Sequence, residues 1–105
     1  MELGTVDFFS NEKRYGYIAT SKKGEKIYFR LNDGMKIEAG SNEPQFSDFK
    51  LGKNPEEGDY IVFKRSRNLE GPKASPWGFE RDFRKAEQKI YTHDLKVMLQ
   101  ATHRR

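Results

Sequence analysis

Cysteine is absent from this 105-residue chain, which excludes a disulfide framework, a thiolate zinc site and a cysteine nucleophile. Long apolar runs are missing as well, so no segment reads as a membrane-spanning helix. The opening residues, Met1-Glu2-Leu3-Gly4, lack a basic-then-apolar signal pattern, and the expectation is a cytoplasmic protein without membrane contact. Histidine occurs only as His93 and His103, neither with a partner at metal-ligand spacing, so no metal and no cofactor are expected. Paired carboxylates, a nucleophile elbow and a phosphate-binding glycine loop are all lacking, which argues against an enzyme. Apolar residues are scarce too. Hydrophobic types make up 34% and charged types another 34%, so one modest core is the most this chain can bury.

Rings and cations are what the chain does have. Aromatic residues reach 13%, high beside so little aliphatic content, so rings must serve both core and surface. They concentrate in two segments, Lys13-Arg14-Tyr15-Gly16-Tyr17-Ile18 and Ile27-Tyr28-Phe29-Arg30-Leu31. Period-2 alternation puts Tyr15 and Tyr17 on one face of the first, with Gly16 and Ile18 on the other. In the second, Tyr28 and Arg30 share a face opposite Ile27, Phe29 and Leu31. Two adjacent strands of this kind bury an aliphatic side and show solvent a set of flat rings edged by positive charge. Unpaired bases offer π-faces to such rings and phosphates to such cations.

The net charge of +4 is uneven. Residues 1–31 carry six basic and four acidic side chains, residues 32–57 three and six, residues 58–79 four and two, and residues 80–105 seven and four. An acidic stretch therefore interrupts a basic chain, and the basic parts favour polyanionic partners.

Read in order, residues 3–11, 14–20 and 26–31 form three strands on tight turns, with Gly24 supplying a positive φ in the second turn. Residues 32–57 form a long acidic loop, broken up by Gly34, Gly40, Pro44, Gly52 and Pro55 and anchored by Phe46–Leu51 as a short extra strand or turn. A fourth strand runs over Asp59–Arg65, and a fifth over residues 73–78, where Pro76 confines it to an edge or ends it early. Phe79, Phe83, Ala86 and Ile90 then fall on one helical face. Thr92-His93-Asp94 interrupts that pattern, and Asp94 is placed to cap a second short helix. The expected organisation is a β domain over residues 1–78 and a helical extension over residues 79–105.

This arrangement resembles a cold-shock domain, a small five-stranded antiparallel OB-fold barrel. The likeness runs from about Gly4 to Ala74. It is strongest over Gly4-Thr5-Val6-Asp7-Phe8-Phe9-Ser10-Asn11-Glu12-Lys13-Arg14-Tyr15-Gly16-Tyr17-Ile18, where the family's elements fall in register without gaps. Ile27–Leu31 stands at the family's second nucleic-acid-binding motif, and Gly71-Pro72-Lys73-Ala74 resembles its closing section. The resemblance implies that Phe8, Tyr15, Tyr17 and Tyr28 stack on bases, that Phe9 flanks them, and that Lys13 contacts phosphate. It also implies a protein that binds single-stranded RNA or DNA with low sequence specificity, as an RNA chaperone or regulator.

The departures are specific. Phe8 replaces a usual tryptophan, Asp7 a lysine, Arg14 a glycine, Arg30 a histidine and Leu31 a phenylalanine. Arg14 and Arg30 can compensate by stacking their guanidinium planes and pairing with phosphate. Lys64, Arg65 and Arg67 are candidates to lengthen the groove, whereas Lys22 and Lys23 read as a solvated hairpin edge. Trp77 is expected to pack the helix onto the barrel. The helix's apolar face has three readings: packing on the barrel, homodimerisation, or docking of a protein partner. An interaction module using the acidic loop or the helix is thus the alternative function.

Overall fold

The computed structural model describes residues 1–103, with side chains through residue 99. Three strands come first: β1 (Glu2–Ser10), β2 (Tyr15–Ala19) and β3 (Lys26–Arg30). β2 and β3 follow the expected alternation, with Gly16, Ile18, Ile27 and Phe29 buried and their neighbours outward. The chain then makes a 3-10 turn (Leu31–Asp33) and a hairpin of β4 (Met35–Ala39) and β5 (Pro44–Lys50). It continues through β6 (Tyr60–Asn68) and β7 (Gly71–Phe79) into one helix, α1 (Glu80–His103). β1, β2, β3, β7 and β6 close into a five-stranded barrel, the architecture expected, with β4 and β5 as a separate two-stranded sheet.

The barrel is not antiparallel throughout, as had been expected: β3 and β7 run parallel, pairing Tyr28 with Lys73 and Phe29 with Ala74. An odd number of strands in a closed ring cannot alternate direction all the way round, so one junction must be parallel. That pairing is short, and it explains Pro76. The proline, joined to Ser75 by a cis peptide bond, was expected to end the strand or keep it at an edge. β7 instead runs on to Phe79, paired with β6. Pro76 falls in the register shift between Ala74 and Trp77, where it has no partner on β6. Beyond Ala74 the β3 side has only an isolated bridge from Gly34 to Trp77, so the missing N–H falls where the ladder is interrupted.

Val6, Ile18, Ile27, Phe29, Ile61, Phe63, Ala74, Trp77 and Phe79 fill the barrel. Trp77 corrects an expectation: it does not tie the helix down but is fully buried in the barrel, edge-on to Phe29 and Phe79 at 5.2 and 5.8 Å. Its one polar group is satisfied, because the indole N–H donates to the Arg30 carbonyl at 2.7 Å. Gly16 is needed for this packing, since a Cβ there would stand 2.8 Å from the Phe29 ring.

A second, smaller core of Ile37, Val62 and Ala86, flanked by Phe46 and Phe83, joins the hairpin, the outer side of β6 and the start of α1. The hairpin lies so close to β7 that a Cβ on Gly78 would stand 2.7 Å from Ile37. Residues 32–57 are thus a folded cover rather than an open loop, and Phe46–Leu51 belongs largely to a true strand. The helix departs from expectation in two ways. Phe79 is the last residue of β7, not the first on the helical face, and no break occurs at Thr92–Asp94. Those three types have only mildly unfavourable helix propensity, too weak to stop a helix already started. Arg104 and Arg105, the end of the expected extension, lie outside the described residues. Among the described residues no helix is long and apolar enough to cross a membrane.

Candidate nucleic-acid interface

The outer face of β1–β3 carries a contiguous group of rings. Tyr17 lies opposite Tyr28 across the β2–β3 pairing, and Tyr15 lies opposite Arg30. Phe8 joins them because β1 bulges between Val6 and Phe8, so that Val6 still points into the barrel while Phe8 pairs outward with Tyr17. Ring centroids are 6.1 Å apart for Phe8–Tyr15, Tyr15–Tyr17 and Tyr17–Tyr28, and 5.7 Å for Tyr15–Tyr28. Three of the four contacts are edge-on, at 65° to 83°, and Tyr15–Tyr28 is tilted by 35°. The rings therefore tile the face edge to face rather than lying coplanar, the arrangement that aromatic quadrupoles prefer among themselves. Phe8 and Tyr17 keep 40% and 39% of their surface exposed, and Tyr15 and Tyr28 are half-buried.

Phe9 goes elsewhere. The same bulge turns it inward, where it stacks on the core ring Phe29 at 5.8 Å and 26°. Lys13 sits exposed in the β1–β2 turn, its N–H donating to the Ser10 hydroxyl at 3.1 Å. Arg14 closes that turn in the left-handed region, at φ 60°, a conformation that favours glycine. Its N–H donates to the Ser10 carbonyl at 2.7 Å, and its own carbonyl accepts from the Leu31 N–H at 3.0 Å. The turn is thereby pinned to the end of β3, next to Arg30. Arg30 extends from the ring face, and its Nε approaches the Asp33 carboxylate at 3.4 Å.

Lys64 is not part of this group. It stands over the Phe46 ring at 6.0 Å, in a cavity of about 520 Å³ formed with Pro44, Phe46, Pro76 and Phe83 on the covered side of the barrel. Arg65 is committed to structure: it forks between Glu2 (2.5 Å) and Glu25 (2.6 Å), tying β1 and the β2–β3 turn to β6. Those Arg65 hydrogen bonds, with the Thr20 hydroxyl donating at 2.6 Å, hold Glu25 at about 2, below its ordinary 4.5.

Two cations that the sequence did not assign there stand at the rings, Lys26 having read as part of the hairpin edge and Lys73 having no reading of its own. Lys26, on the ring side of β3, pairs with Asp7 at 2.8 Å and so neutralises the acidic residue beside Phe8. Lys73 is brought beside Tyr28 by the parallel β3–β7 register, on the face opposite the buried Ala74. No local signal marks Lys73, because its place depends on how the barrel closes. Lys26, Tyr17, Tyr28, Asn68, Glu70 and Pro72 line a groove of about 310 Å³ at that edge of the rings.

The arrangement offers flat apolar surface, cations at the turn and along β3, and no cluster of acidic or histidine side chains placed to hold a metal among the described residues. No protein-family model matches this chain, and no curated protein is significantly similar to it.

Proposed function

We propose that this protein is a diverged cold-shock-type OB-fold that binds single-stranded RNA or DNA with little sequence preference, acting in the cytoplasm as an RNA chaperone or regulator. The observation that carries this reading is the ring group Phe8, Tyr15, Tyr17 and Tyr28 on one exposed face, flanked by Lys13, Arg14 and Arg30. Bases insert against Phe8 and Tyr17, exchanging edge-on ring contacts for stacking worth roughly 1–3 kcal/mol per base. Phosphates meet Lys13 and Arg14 at the turn and Arg30 at the end of β3, with Arg30 leaving Asp33 to do so. Holding strands unpaired in this way needs no ATP, metal or catalytic group.

Fluorescence titration with oligo(dT) and oligo(U) at low salt tests it. Stacking on the tyrosines quenches their emission, and a silent titration with both oligonucleotides overturns the reading. A second reading, a protein-interaction module, draws on α1. Beyond Ile90 the helix exposes Tyr91, Leu95, Val97 and Leu99, all 42% exposed or more. Light scattering across a concentration series supports it if the mass rises to a dimer.

A further inference from the structure

The lysines of residues 32–57 are gathered by the fold in a way that the segment's net acidity conceals. Met35 pairs with Lys50 at the base of the β4–β5 hairpin, which puts Lys36 and Lys50 at that end and Lys53 just past it. Glu38 pairs with Gln45 toward the tip, next to Glu43. The basic end abuts the segment that leaves the ring face. Lys50 Nζ donates to the carbonyl of Asn32, two residues after Arg30, and the Leu51 N–H donates to the Gly34 carbonyl at 3.2 Å.

Past Leu51 the surface opens into a groove of about 350 Å³ lined by Lys36, Lys53, Phe79, Arg81 and Asp82. Arg81, at the first turn of α1, lies over the Phe79 ring at 4.7 Å, which braces its guanidinium against the wall of the groove. Among the described residues no ion pair takes up Lys36, Lys53 or Arg81, and Asp82 is the one carboxylate in the lining. Cations collected in a concavity and left unneutralised create a positive potential directed outward, which recruits a polyanion.

We infer that a single strand leaving the rings at Arg30 continues over Lys50 into this groove, where Lys36, Lys53 and Arg81 hold its phosphates. The inference rests on the ring-face reading above and extends it: the hairpin and the helix lengthen the binding site beyond the barrel. The ring face takes a short oligonucleotide by itself, and the track is engaged only by a longer one.

Anisotropy of labelled oligo(dT) of five and fifteen nucleotides, measured over a salt series, tests this. In the Lys36→Gln/Lys53→Gln/Arg81→Gln variant, binding of the fifteen-mer falls about tenfold or more at low salt. The slope of log K against log salt drops by about 2, at roughly 0.7 per lost phosphate contact. Binding of the five-mer stays unchanged, and so does the fifteen-mer affinity of a control, Lys22→Gln/Lys23→Gln/Lys96→Gln, which removes two exposed cations of the β2–β3 turn and one about four turns further along α1 than Arg81. A fifteen-mer that binds the variant with unchanged affinity and slope overturns the track and leaves the ring face standing. Failure of the unaltered protein to bind either oligonucleotide overturns both.

Discussion

Val62 and Tyr17 both point outward from the barrel, and they meet opposite fates. Val62 is 6% exposed because Ile37, Phe46, Phe83 and Ala86 close over it, while Tyr17 keeps 39% of its surface. One outer face has recruited a hairpin and a helix to hide a single valine. The other, far richer in rings, is left uncovered. Apolar surface is in short supply at 34% hydrophobic content, and covering the rings would have added to the buried area. The proposed function rests on that difference, since an uncovered ring patch is available to a partner. Its edging of Lys13, Arg14, Arg30 and Lys73, with Asp7 neutralised by Lys26, suits an anionic one.

Trp77 supports both faces, and removing it should have the largest effect. It packs under Phe29, bonds the Arg30 carbonyl and lies against Gly34 at the entry to the hairpin. Trp77→Ala should lower stability by about 3–5 kcal/mol, read from the denaturant midpoint. Tyr17→Ala with Tyr28→Ala separates the faces. Stability should fall by only about 1–2 kcal/mol, from the lost ring contacts, whereas affinity for labelled oligo(dT) should fall at least ~30-fold, the equivalent of two rings at the low end of their stacking range. Ala86→Asp probes the covered face instead: a carboxylate placed on Val62 and Ile37 should cost at least about 2 kcal/mol and loosen α1, with five-mer binding intact.

Arg14→Gly should raise stability by about 0.5–1 kcal/mol. It relieves the left-handed strain of about 1–2 kcal/mol, and the freedom glycine gains when unfolded takes back part of that. Oligonucleotide affinity should not rise with it, because a cation at the ring edge is lost. The smallest effect concerns pH. Glu25 is held at about 2 against an ordinary 4.5, so its clasp with Arg65 stabilises fully above about pH 4.5 and is lost as pH falls toward 2. Glu25→Gln should flatten that part of the stability–pH curve, measured by urea midpoints from pH 6 to pH 2.5.

The ring face was largely legible because its contacts are local. Tyr15, Tyr17 and Tyr28 sit on short hairpins, where alternation and a tight turn fix both the neighbour and the side. Phe8 and Phe9 were less so. A single bulge between Val6 and Phe8 decides which of the two faces solvent, and strand propensity does not locate bulges. Lys64 read as a candidate to lengthen the groove, yet it stands over Phe46 of the β4–β5 hairpin instead. That hairpin was hard to see because Gly34, Gly40 and Pro44 fragment its pattern. Its stability comes from packing on Gly78 and Val62 rather than from its own residues.

Composition and alternation by themselves determined the barrel strands, the aromatic face and the helix that follows, since each depends on residues a few positions apart. Tertiary structure alone decided the parallel β3–β7 junction, the place of Lys73 beside Tyr28, the burial of Trp77, and the gathering of Lys36, Lys50 and Lys53 at one end of an acidic segment. The reason is the same in every case. Closing a ring of five strands and folding a cover over it bring together residues tens of positions apart, and no local pattern encodes which of them will meet.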